Sequence, residues 1–180
     1  QAVLTHYGIT DVRIEQTSGK LTDHYDPKAK VIRLSEGVYN ATSIAAVGIA
    51  CHEAGHAAQH AENYVPIKVR TALVPVCNIG STVGIPLALI GFFLGFEPLV
   101  TIGLVLYGAI FVFQLVTLPV EFNASSRAIN VIEQTHLLYE DEVGSARKVL
   151  SAAAMTYVAS MIVALASLIR LVLRFNRRRN

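Results

Sequence analysis

Three long stretches of this chain carry no charge, and they restrict its fold more than any other feature. Between Arg70 and Glu97 lie 26 uncharged residues, between Glu97 and Glu121 another 23, and between Lys148 and Arg170 a further 21. Each exceeds the ~20 residues a helix needs to cross the hydrocarbon of a bilayer. One such run could be a buried core helix, but a chain of 180 residues has too little polar structure to cover three. With 53% hydrophobic and only 16% charged residues, the chain reads as a membrane protein with about three transmembrane helices. Pro86 and Pro119 fall inside or at the end of spans, where proline is tolerated. The Glu97-Pro98 pair is expected to form a tight turn joining the first two spans.

Counting crossings places the segment after Glu121 on the same membrane side as residues before Arg70, with the C-terminal tail opposite. Lys68, Arg70, Arg127, Arg147 and Lys148 flank the spans on one side, and Arg170, Arg174, Arg177, Arg178 and Arg179 on the other. Five against five gives no orientation by the excess of basic residues on the cytoplasmic side. The net charge of +2, with no basic-aromatic pattern, argues against nucleic acid as a partner. The two cysteines, Cys51 and Cys77, make no disulfide framework.

Ahead of the spans lies the stretch CHEAGHAA, from Cys51 to Ala58. His52 and His56 are four apart, so in a helix they stack on one face, roughly 6 Å apart along the axis. Two imidazoles so placed can converge on one metal ion, and Zn²⁺ takes nitrogen ligands at about 2.0–2.1 Å. Glu53 points to a neighbouring part of the surface and can reach a water held there, the arrangement of a metalloprotease. The surrounding alanines and glycines, from Ala45 to Ala58, form a helix thin enough to pack closely. Cys51 adjoins His52 and so points away from the metal, as a small core residue.

The first 35 residues read as a short helix and three extended segments, 11–16, 21–26 and 30–35. Helix-start residues Asn40, Thr42 and Ser43 precede the motif, and Pro66 is expected to end its helix. A catalytic zinc usually takes three protein ligands. His60 rises about 12 Å above His52 and cannot share the ion on a straight helix. Glu62 stands where a third ligand follows the motif in some metalloproteases, but Gln59 replaces the glycine that turns the chain back there. Glu121 is the better candidate, because it opens EFNASSRA where the chain returns to the motif's side, with Ala124 and Ala128 offering a small face for packing.

Four segments together, LTDHYDP from Leu21, VIRLS from Val31, HEAGH from His52 and LPVEFNASSRA from Leu118, carry a resemblance. The chain resembles the neutral zinc metallopeptidases of the YugP type, a bacterial membrane family similar to the HtpX/Ste24-like peptidases, over nearly its whole length. The resemblance implies that His52, His56 and Glu121 bind zinc and that Glu53 activates water. It also implies another membrane segment before residue 1. In the broader group an aspartate follows the glutamate ligand by four residues; here Ser125 stands in that place.

The expected fold is an α+β membrane protein. Its zincin-like catalytic segment covers 1–70, with the motif helix at about 41–64. A transmembrane hairpin over 71–120, a third-ligand helix region over 121–148, a last span over 149–173 and a basic tail over 174–180 complete the chain. The expected function is hydrolysis of protein or peptide substrates by a zinc endopeptidase in a bacterial cell membrane. The extended segment at 23–25 is placed to pair with a substrate strand, with His24 or Tyr25 as hydrogen-bond donor to a developing oxyanion. Two alternatives are an intramembrane zinc protease and a membrane scaffold or metal-binding protein without turnover. Glu53, which a purely structural metal site does not require, favours chemistry.

Overall fold

The computed structural model describes residues 1–176; the end of the basic tail, 177–180, lies outside the described residues. In chain order the elements are α1 (Ala2–His6), β1 (Arg13–Thr17), β2 (His24–Asp26), β3 (Val31–Ser35), α2 (Glu36–Tyr39) and α3 (Ile44–Ala61). Three long helices follow, α4 (Val65–Phe93), α5 (Glu97–Gln134) and α6 (Glu140–Asn176). The chain divides into two compact units, Gln1–Ile67 with Val120–Met155, and Lys68–Pro119 with the chain from Thr156 onward.

The first unit is α+β. Its sheet has the order β1-β3-β2. Strands β1 and β3 run parallel with Arg13 opposite Val31, and β2 runs antiparallel to β3 with Tyr25 opposite Ile32. The turn from β2 into β3 follows from Asp26, whose carboxylate accepts the Lys28 and Ala29 amide protons at 2.9 and 3.0 Å. Strand β3 is central, so Val31, Ile32, Leu34 and Ser35 are all buried. The Ser35 amide and hydroxyl both donate to Asp23, which satisfies them out of water. Val3 and Leu4 of α1, Ile32 and Leu34 of β3, Ala54, Ala57 and Ala58 of α3, and Ile129 and Ile132 of α5 share one core.

Helix α3 begins at the cap Ser43, whose hydroxyl accepts the Ala46 amide proton at 3.3 Å. It stops at Ala61, earlier than Pro66 predicts. Asn63 takes a left-handed conformation (φ 58°), and the Tyr64 amide donates back to the Gln59 carbonyl at 2.9 Å. Pro66 instead lies in the first turn of α4, where a helix tolerates proline because that amide has no partner within the helix.

The second unit consists of apolar helix. Among the described residues three helices are long and apolar enough to cross a membrane: α4, α5 and α6. Large side chains such as Phe93, Val105 and Ile162 stand exposed along them, a surface suited to lipid. The turn between α4 and α5 is made at Gly95 (φ 67°), ahead of the Glu97-Pro98 pair. That pair opens α5 rather than forming the turn, because proline fits the first helical turn and glutamate complements the positive helix start. The hairpin packs so closely that a Cβ on Gly80 would lie 2.2 Å from the Leu106 carbonyl oxygen.

Candidate metal centre

Three donor groups meet in the first unit. Helix α3 contributes His52 and His56, one turn apart, with ring centroids 4.7 Å apart and nearly perpendicular. Helix α5 contributes Glu121, which is buried. Its Oε2 lies 3.2 Å from His52 Nε2 and 3.6 Å from His56 Nε2. One ligand atom from each of the three residues lies within 4.8 Å of the others.

This spacing fits zinc. Ligands at about 2.1 Å in a tetrahedron stand roughly 3.4 Å from one another, and two nitrogens with one carboxylate oxygen form an ordinary donor set for a catalytic ion. The charge balance fits as well. Burial disfavours a charge on His56, but the hydrogen bond and charge of Glu121, with the charge of Glu53, outweigh it and raise its pKa above the ordinary histidine value. A site that draws a proton onto a buried imidazole favours positive charge at that point.

The close approach of α3 and α5 comes from their small residues. A Cβ on Gly55 would stand 2.6 Å from the Ala124 carbonyl oxygen, so glycine at that point lets the helices meet. Ala124 and Ala128 are completely buried.

Around the three donors runs a set of polar side chains that the motif does not announce. His52 Nδ1 lies 3.1 Å from the hydroxyl of Ser125. His56 Nδ1 lies 3.0 Å from Gln59 Oε1. Gln59 Nε2 in turn donates to the Val120 carbonyl at 2.8 Å and to Asn123 Oδ1 at 2.9 Å. Asn123 Oδ1 also accepts from Arg127 Nε at 2.8 Å, and Arg127 pairs with Glu62 at 2.7 Å. In the sequence Gln59 shows only as a missing glycine. The available signal was an amide three residues after His56, on nearly the same helix face.

The other candidates fall elsewhere. Glu62 caps the end of α3 and is engaged by Arg127. His24 is exposed on β2; its Nδ1 proton goes to the Thr22 carbonyl at 2.7 Å and its Nε2 faces Arg33 at 3.4 Å. Tyr25 packs against the ring of His60 with centroids 5.6 Å apart. Burial raises the Tyr25 phenol above its ordinary pKa, aided by the charge of Asp11. Glu53 is half-buried on α3, and its charge acts on His56.

Comparison with known proteins agrees with this chemistry. The profile of a family described as "Putative neutral zinc metallopeptidase" matches residues 1–176. A protein of Bacillus subtilis (strain 168) named "Putative membrane protease YugP" is 47% identical over 173 residues, covering 96% of this chain and 77% of that protein. No solved structure matches the chain.

Proposed function

This chain belongs to the family described as "Putative neutral zinc metallopeptidase", and from that premise we propose that it is a membrane-bound zinc endopeptidase. The observation that carries the proposal is the convergence of His52 Nε2, His56 Nε2 and Glu121 Oε2 at separations close to the edge of a zinc tetrahedron. Zinc held by these three residues would supply Lewis acidity to the scissile carbonyl and to water. Glu53 accepts the proton of the attacking water and delivers it to the leaving amine as the peptide bond breaks. It suits this role because it follows His52 directly on α3.

Strand β2 is at one edge of the sheet, so a peptide in extended form can add beside it through backbone hydrogen bonds. Tyr25 is the stronger candidate for the oxyanion donor. Its phenol stays protonated, and its partner His60 lies one turn beyond His56. His24 is the weaker, because its ring is occupied by Thr22 and Arg33.

A site at the bilayer surface, rather than within the bilayer, is supported by two observations. Helix α3 is not among the three helices apolar enough to cross. Helix α5 has 38 residues, about 57 Å at 1.5 Å per residue, whereas the hydrocarbon core is only about 30 Å thick. Glu121 lies in the C-terminal half of that helix, leaving room for a span before it.

The test is Glu53→Gln in the purified zinc-loaded protein, assayed on unfolded protein substrates. The variant should keep its zinc and lose peptide hydrolysis by about 10²–10⁴, because an amide cannot take the water's proton. Near-normal turnover would remove Glu53 from the mechanism. Tyr25→Phe should lower turnover by about 10²–10³ if Tyr25 is the oxyanion donor.

A further inference from the structure

Gln59 is completely buried, and each of its polar contacts has a forced direction. The Val120 carbonyl oxygen can only accept, so the Gln59 atom 2.8 Å from it must be the NH₂ group. At the other end of the network, the Arg127 guanidinium can only donate, so Asn123 meets it with its amide oxygen. That oxygen also faces Gln59 at 2.9 Å and again requires the Gln59 NH₂ group. The amide is therefore fixed from two sides, with Oε1 turned to His56 Nδ1 at 3.0 Å. An amide oxygen has no proton to give, so His56 Nδ1 carries the hydrogen. His56 Nε2 is left as the nitrogen facing Glu121, and in the neutral ring it carries the lone pair that a cation would take.

We propose that Gln59 is a positioning residue of the metal centre, which locks His56 in the Nδ1–H tautomer and aims its Nε2 at the ion. The inference rests on the zinc reading given above and deepens it. His52 is held differently. Its Nδ1 meets the Ser125 hydroxyl, which can donate or accept, and that contact does not select a tautomer. The two histidines of the motif thus differ, with His56 preset by the fold and His52 adjustable. Gln59 also bridges α3 to the α5 backbone one residue before Glu121, so one side chain fixes both the ring of one ligand and the position of another. Partners of this kind orient a ligand and raise its basicity.

The experiment compares the full chain in detergent with Gln59→Met and Gln59→Glu. Three quantities are measured: zinc affinity by chelator competition, the unfolding midpoint, and the His56 tautomer by ¹⁵N-histidine NMR of the zinc-free protein at a pH where the ring is neutral. Gln59→Met keeps the shape without an acceptor. It should bind zinc about 10- to 100-fold more weakly and lose the Nδ1–H preference. Gln59→Glu keeps an oxygen for the His56 proton but has no NH₂ group for Val120 and Asn123, so it should retain the Nδ1–H tautomer while unfolding at a lower temperature than the parent. A role confined to tying two helices together would lower stability without moving the tautomer. Parent-like affinity and tautomer in Gln59→Met would overturn the proposal. So would loss of the Nδ1–H preference in Gln59→Glu, which still offers His56 an acceptor although its bridge to α5 is broken. A parent chain that binds no zinc would instead defeat the metal reading, while the NMR arm still reports on whether Gln59 sets the tautomer.

Discussion

Gly55 of α3 lies against the backbone of Ala124 in α5, so closely that a Cβ at Gly55 would stand 2.6 Å from the carbonyl oxygen and 3.3 Å from the Cα. The neighbour is backbone and cannot swing aside as a flexible side chain could. The single glycine of HEAGH thus sets the separation of the two helices that carry His52, His56 and Glu121.

Gly55→Ala is expected to push α5 away from α3. Overpacking of this kind costs about 1–3 kcal/mol, and the displacement carries Glu121 away from His52 and His56. Thermal unfolding in detergent should show a lower midpoint, and chelator competition a weaker zinc site. Unchanged values for both would mean that the helices are not held this closely.

Removing the metal should loosen the protein. A ligand that binds only the folded state stabilises it by about 2.7 kcal/mol at a hundredfold excess over its dissociation constant. Dialysis against a chelator should therefore lower the unfolding midpoint, and added zinc should restore it where magnesium does not. Magnesium prefers an octahedral shell of oxygens and finds two imidazoles here. His56→Ala should abolish the response to zinc.

The Cys51 thiol is pushed up to about 11 by burial. The reactive form is the thiolate, so the native thiol is almost wholly protonated at pH 8. In a Cys77→Ser background, iodoacetamide at pH 8 should label Cys51 slowly in the native protein and rapidly after denaturation, as read by mass spectrometry. The sign for stability follows. The unfolded thiol ionises at lower pH than the folded one, so this group destabilises the fold as pH rises past the ordinary thiol range towards 11. Equal labelling rates in both states would place Cys51 at the surface.

Much of this was legible from spacing. Absence of charge over three runs exceeds what a small protein can bury, and three helices long and apolar enough to span a membrane follow. The i, i+4 histidines were expected on one helix face, and they lie side by side there because helix geometry is local. Helix ends were harder. Pro66 looks like a stop, yet the chain leaves α3 earlier through a left-handed Asn63, a conformation that several residue types can adopt. The Glu97-Pro98 pair reads as a turn, but the same residues also favour a helix start, and Gly95 supplies the turn. Of the network through Gln59, Asn123 and Arg127, only the spacing of Gln59 from His56 was legible. The network joins residues more than sixty positions apart, and only the packing of α3 on α5 brings them together.

The central claim is that Glu121 completes the metal site with His52 and His56. It is tested most directly by zinc titration, against a competing chelator, of Glu121→Ala beside Glu62→Ala. Glu121 Oε2 lies within 3.6 Å of both imidazole Nε2 atoms, whereas Glu62 is paired with Arg127 at the end of α3. Glu121→Ala should weaken zinc by more than the roughly 10- to 100-fold typical of losing an outer partner, while Glu62→Ala stays near the parent. Zinc retained by Glu121→Ala and lost from Glu62→Ala would contradict the account.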